Sequence, residues 1–175
     1  MRHPTRRFGV LLFAAVALAC GGDREAADRP AQPPDEVLAT HLAGLHASDL
    51  TTAARERGLV CQPPARERDQ THWICEARTP LTSYLFEFYG KVPGRLEYIR
   101  LVISQSGPPK LEHTGPWLGY LASLRYEGAD AEAARTWIEA HLDGGGQTTI
   151  GTAKLKLSGD MSRLVTEIKA PGSEW

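Results

Sequence analysis

The sequence contains no asparagine and only three cysteines, and its charges nearly cancel, to a formal net charge of −1 over 175 residues. Without asparagine there is no N-glycosylation sequon, and one of the usual sugar-binding side chains is missing. Without a basic excess there is no clustered Lys/Arg footprint of the kind a phosphate backbone requires, so nucleic acid is not an expected partner. Arginine outnumbers lysine, but the arginines are spread beside Glu and Asp, as on a mixed-charge solvated surface. No CxxC pair occurs, which removes zinc sites of the usual spacing. HExxH, GxSxG, GxxxxGK[ST] and the calcium-loop pattern are also missing, so no catalytic residue, metal ligand or cofactor is assigned from motifs. DGGGQTT, 143–149, is rich in glycine, but it follows a helical pattern and precedes a strand pattern. A phosphate cradle needs a helix N-terminus facing the anion, which is the opposite order.

What is there begins with a charged start, Arg2, Arg6 and Arg7 with no acid among the first seven residues. Phe8 to Ala19 is then apolar or small throughout, and Cys20 and two glycines follow. About a dozen apolar residues are too few for a membrane-spanning helix, which needs about 20. The arrangement is that of a signal peptide. Its end resembles the lipobox of bacterial lipoprotein precursors, in which cleavage falls just before a lipid-modified cysteine. Ala19 and Gly21 fit that pattern, while Ala17 and Leu18 stand in the reverse of its usual order. The resemblance covers only this leader. It implies a signal peptide over 1–19, lipid attachment at Cys20, and a membrane partner engaged through that lipid. It also implies the cell envelope, on the periplasmic side of an outer membrane where one exists. A secretory signal cut elsewhere, or an uncleaved anchor, is the other reading of the same residues.

Residues 20–34, CGGDREAADRPAQPP, have no hydrophobic periodicity and are expected to be a disordered tether. Fully stretched, they reach at most about 50 Å at about 3.3 Å per residue. The rest, 35–175, is long enough for one domain with its own core, and the overall 42% hydrophobic and 23% charged shares are ordinary for a globular chain.

Setting Cys20 aside leaves Cys61 and Cys75, in two short strand-like runs, GLVCQ and THWICEA, around the polar loop PPARERDQ. Opposite cysteines in such a hairpin suit a disulfide outside the cytoplasm. Closing a 15-residue loop stabilises by about 3 kcal/mol in the chain-entropy account. A reactive thiol paired with His72 is the competing reading. On a strand, however, residues 72 and 75 point to opposite faces.

A helix is expected from an Asp35 cap through Val37, Leu38, Leu42 and Leu45, and a helical turn from Ser48 or Asp49 to Arg57. Strands follow over 82–90 and 95–104, after the cysteine hairpin. A loop spans 106–115, and Pro116 opens a helix carrying Trp117, Leu118, Leu121 and Leu124. Asp130 caps another helix, to about Leu142, and 148–170 reads as a hairpin turning near Gly159 and Asp160. The predicted fold is α+β, an antiparallel sheet of about six strands with helices packed on one face. In element order alone this is similar to the arrangement of secretion-chaperone-like folds.

Two sets of residues are weighed for function. Tyr84, Phe86 and Phe88 alternate along one strand, and with Tyr98 and Arg100 nearby they form a candidate ligand platform, set against plain core filling. Glu139, His141 and Asp143 lie close in sequence, but only 139 and 143 share a helical face. The leading expectation is a lipid-anchored, non-enzymatic binding or assembly module with a partner protein in the envelope. The alternative is a tethered, hydrolase-like enzyme whose site is assembled from dispersed acids and His72, His113 or His141.

Overall fold

The computed structural model describes residues 40–173. The leader, the tether with Cys20, and Asp35, Val37 and Leu38 lie outside the described residues.

In chain order the elements are α1 (Ala47–Glu56), β1 (Val60–Cys61), β2 (Ala65–Glu67), β3 (Gln70–Arg78), β4 (Thr82–Gly90) and β5 (Leu96–Gln105), followed by α2 (Leu111–Ala122), α3 (Ala131–Ala140), β6 (Gly146–Ile150), β7 (Ala153–Asp160) and β8 (Arg163–Lys169). All eight strands form one sheet in the order β1-β3-β4-β5-β8-β7-β6, and β2 pairs with β3 beside β1. Every pairing is antiparallel. The helices pack against one face, so the fold is α+β as expected. The sheet has two more strands than expected because β2 and β6 are short. Their few residues carry too little alternation to read as separate strands.

The helix-covered face follows from alternation. Trp73, Phe88, Ile99 and Ile168 stand side by side across four strands, and the next row in is Cys75, Phe86, Leu101 and Thr166. All eight are buried. Trp117 of α2 packs on Phe86 with ring centroids 5.6 Å apart, and Tyr84 donates a hydrogen bond to the His113 carbonyl at 3.2 Å.

Three local features differ from expectation. Residues 40–46 form a turn, not a helix. Gly44 has a φ of 93°, which breaks a right-handed helix, and a Cβ there would sit 3.0 Å from the Arg125 carbonyl oxygen. The Leu42 amide bonds instead to the Leu96 carbonyl at 2.6 Å, so Leu42 and Leu45 are buried through docking on the sheet and not through helical periodicity. Next, α2 begins at Leu111, five residues before Pro116. The proline costs the helix one amide bond, to Glu112, while the helix gains burial of Thr114, Trp117, Leu118 and Leu121. Finally, a turn at Gly151, with a φ of 57°, splits the last segment into three strands where two were expected. A Cβ at Gly151 would lie 2.1 Å from the Gly128 carbonyl oxygen.

Other expectations hold. The Asp130 carboxylate accepts from the amides of Glu132 at 3.1 Å and Ala133 at 3.0 Å, capping α3. Cys61 and Cys75 are direct cross-strand partners joined by a disulfide.

Candidate functional site

The sheet has a second face, which carries no helix of the described residues. Alternation sends to it His72 and Ile74 of β3, Leu85, Glu87 and Tyr89 of β4, and Tyr98, Arg100 and Val102 of β5. From the far side come Val165, Glu167 and Lys169 of β8, and Lys154 and Lys156 of β7. Register arranges them in rows. One row reads His72, Tyr89, Tyr98, Lys169, and the next reads Ile74, Glu87, Arg100, Glu167, Lys156.

The first row is a stack. The imidazole of His72 lies on the Tyr89 ring at 4.0 Å and 11°, Tyr89 lies beside Tyr98 at 5.6 Å and 30°, and the Lys169 ammonium sits 5.1 Å from the Tyr98 ring centre. The ring faces are spent on one another, so this row offers its edges and hydroxyls to a ligand, not a flat aromatic platform. The second row alternates charge. Arg100 Nη1 is 3.3 Å from Glu87 Oε2, and Lys156 Nζ is 3.7 Å from Glu167 Oε2. The Tyr98 hydroxyl donates to Glu167 Oε1 and links the two rows.

His72 joins the rows from the other end. Its Nε2 is 3.4 Å from Glu87 Oε1, and its Nδ1 is 3.6 Å from Glu67 Oε1 on β2. The side chain is 7% exposed, and neither ring nitrogen has a hydrogen-bond partner among the described residues. A buried imidazole left this way is costly, and each of its nitrogens faces a carboxylate oxygen. The phenols here are held protonated. Burial, reinforced by Glu87 and Glu67, pushes Tyr89 up to about 12. Burial and the bond to Glu167 push Tyr98 up as well. Burial also holds the Lys169 ammonium below the usual lysine range.

Cavities lie at both ends of this face. One of ≈ 280 Å³ is bounded by Gln70, Tyr89, Glu97, Tyr98 and Lys169 at the end of the stack. Another of ≈ 520 Å³ is bounded by Glu76, Arg78, Leu85, Val102, Ser104 and Arg163.

The five residues of the expected platform are not brought together. Tyr84, Phe86 and Phe88 face the helices, with both phenylalanines fully buried, while Tyr98 and Arg100 stand on the opposite face. The cause is register: Phe88 pairs with Ile99 and Phe86 with Leu101, so Tyr98 and Arg100 fall out of phase with the phenylalanines. Among the described histidines, only His72 sits within a cluster of acids. His113 lies 3.7 Å from the exposed Glu112, and His141 donates from Nδ1 to the Trp137 carbonyl at 2.7 Å while stacking on that indole. Asp143 falls beyond the end of α3, away from the helical face it was expected to share with Glu139. Among the described residues no group of three or more His, Cys, Asp or Glu is placed to hold a metal ion. The Cys75 sulfur is in the disulfide on the covered face and His72 is on the other, as strand parity requires. Sequence reasoning missed Glu87, Tyr89, Glu167 and Lys169. Alternation within 82–90 does place Glu87 and Tyr89 opposite the phenylalanines, but their partners depend on the pairing of β4 with β3 and β5, and Glu167 and Lys169 on that of β5 with β8.

No helix among the described residues is long and apolar enough to cross a membrane. Compared with protein-family models, curated proteins and solved structures, the chain matches none.

Proposed function

We propose that the open sheet face is the working surface, and that Glu67, His72, Glu87 and Arg100 form an acid–base site of hydrolase type. The observation that carries this reading is the His72 imidazole, buried between two carboxylates with neither nitrogen hydrogen-bonded. Such a group takes up and returns a proton over a short path, and Glu67, 64% exposed, connects it to solvent. Arg100 holds the second oxygen of Glu87 and, at 35% exposure, still presents N–H groups toward a developing oxyanion. In a hydrolysis, water adds to the acyl or phosphoryl centre and its proton passes to the Glu87–His72 pair. That proton is then returned to the leaving oxygen. The same reading places the chain at a membrane through lipid on Cys20, following the leader's resemblance to lipoprotein precursors.

A panel of chromogenic carboxylic esters, phosphoesters and glycosides, assayed with the intact protein and with His72→Gln, tests the chemistry. Loss of about 10²–10⁴-fold in kcat with the fold retained is expected. No turnover of any substrate class overturns the enzymatic reading. Intact mass of the protein from native membranes tests the address: a chain beginning at Cys20 and carrying acyl mass is expected, and an unlipidated chain beginning elsewhere overturns it.

One feature favours a second reading, a non-enzymatic binding or assembly module for an envelope protein. Tyr89 covers His72, and the two cavities described above sit at the ends of the face, away from the imidazole. Crosslinking from Arg100 and Lys156 positions in cells separates the two readings. A single captured partner together with no turnover favours the module.

A further inference from the structure

The two edges of the sheet are finished differently. The outer edge of β3 is covered by β1 and β2, with Pro63 and Pro64 between them and the charged run Arg66, Glu67, Arg68 beside it. These are the devices that keep an edge from pairing with another chain. The opposite edge, β6, has a strand neighbour on one side only among the described residues. Its sequence, GQTTI, has no charge and no proline. From this unguarded edge we infer that β6 is a self-association surface, and that its occupant is β6 of a second copy of this chain, paired antiparallel about Thr148.

Hydrogen-bond parity supports the register. A two-residue turn joins β6 to β7, so Ile150 and Ala153 form a hydrogen-bonded pair, and the alternation makes Thr148 and Gly146 bonded positions as well. The amides and carbonyls of Gln147 and Thr149 therefore point away from β7. In a two-fold pairing centred on Thr148, Gln147 meets Thr149 of the second copy and the reverse, closing about four backbone hydrogen bonds. Side-chain chemistry fits the same register. Gly146 stands opposite Ile150 of the second copy, the smallest residue beside the largest. The uncharged pair of β6 strands keeps Lys154 of one copy about 14 Å from Lys156 of the other, at about 4.8 Å per strand spacing. That separation exceeds the Debye length of about 8 Å at physiological salt. A five-residue strand is at the small end of specific contacts, so the dimer is concentration-dependent.

The test uses the full chain in mild detergent with Cys20→Ser, so that an added cysteine is the one free thiol. Sedimentation across a concentration series is expected to show a monomer–dimer equilibrium, and Thr149→Pro, which removes only an outward-pointing amide, is expected to abolish the dimer with an unchanged melting temperature. Thr148→Cys faces itself across the two-fold axis with Cβ atoms about 4.5–5.5 Å apart. It is expected to form an intermolecular disulfide at least tenfold faster than the exposed control Ser48→Cys. A monomer at every concentration, a dimer that survives Thr149→Pro, or equal crosslinking rates at the two cysteines each overturns the proposal. If Thr149→Pro fails to fold, the concentration series and the crosslinking comparison decide.

Discussion

On β4, Phe86 and Phe88 point into the core, while Glu87 and Tyr89, each one residue on, stand on the open face. The same backbone thus serves two environments. On the covered face, helices exclude water, and stability comes from apolar area and close packing, where a polar atom without a partner among the described residues, such as Thr82 Oγ1, is costly. On the open face no helix of the described residues excludes water, yet Glu87 and His72 are nearly as buried as the core, at 9% and 6% exposure. Their neighbours in the same sheet do the covering. The polar groups there are satisfied mostly across strands: Arg100 with Glu87, Tyr98 with Glu167, Lys156 with Glu167. One face spends its side chains on stability. The other keeps ionisable groups close together at some cost, which is where chemistry is to be sought.

The comparison breaks most visibly if truncations on the two faces cost alike. Phe86→Ala removes a fully buried ring that touches Phe88, Trp117 and Tyr120, and is expected to cost about 3–5 kcal/mol. It should have no counterpart on the open face. His72→Gln keeps a polar group in the same place and should stay within about 1 kcal/mol. Urea unfolding of both variants, read by midpoint at constant slope, checks the pair. Equal losses would mean that the open face is structural as well.

A smaller effect sharpens the open face itself. Arg100→Met keeps much of the side chain's volume but leaves Glu87, whose side chain is 12% exposed, without its cation. A loss of about 1–2 kcal/mol is expected, as for a buried acceptor stripped of its partner. The double variant Arg100→Met with Glu87→Gln should recover most of it. A double-mutant cycle measures the coupling, and no recovery would show that Arg100 acts through packing alone.

The covered face was far more legible in the sequence than the open one, and the reason is range. The Asp130 cap and the buried alternation of Phe86 and Phe88 rest on residues two or three positions apart, and the cysteine hairpin on two that are 14 apart. The charged row rests on pairing between β5 and β8, which joins Arg100 to Glu167 across α2, α3 and two strands in sequence. No local pattern encodes that register, so Glu167 and Lys169 are not legible from their neighbours, while Tyr98 and Arg100 fall out of phase with the phenylalanines through the β4–β5 register. The turn at 40–46 failed for a related reason: Leu42 and Leu45 have helical spacing, but the Leu96 carbonyl and the conformation of Gly44 decide the backbone.

The smallest expected effect compares tyrosines on the two sides. Burial raises Tyr120 and Tyr126, which pack with the helices, and Tyr89 on the open face, each to about 12. An unfolded phenol ionises near 10. A folded pKa above the unfolded one gives stability that is whole below about pH 10 and lost as pH rises toward 12, because the folded protein binds more protons over that window. Melting temperature should therefore fall from pH 9.5 to 11.5, and Tyr89→Phe should flatten part of the fall. Salt separates the two sides. At Tyr89 two carboxylates, Glu87 and Glu67, add to the effect of burial and outweigh the opposing Arg100, whereas at Tyr126 Asp130 is the one charge that adds to it. Raising salt from 0.05 to 1 M screens those charges, so ionisation followed at 295 nm should move Tyr89 downward more than Tyr126, with phenylalanine variants assigning each. Equal movement would mean that desolvation alone sets Tyr89, and that the acids beside His72 act more weakly on their neighbours than their geometry implies.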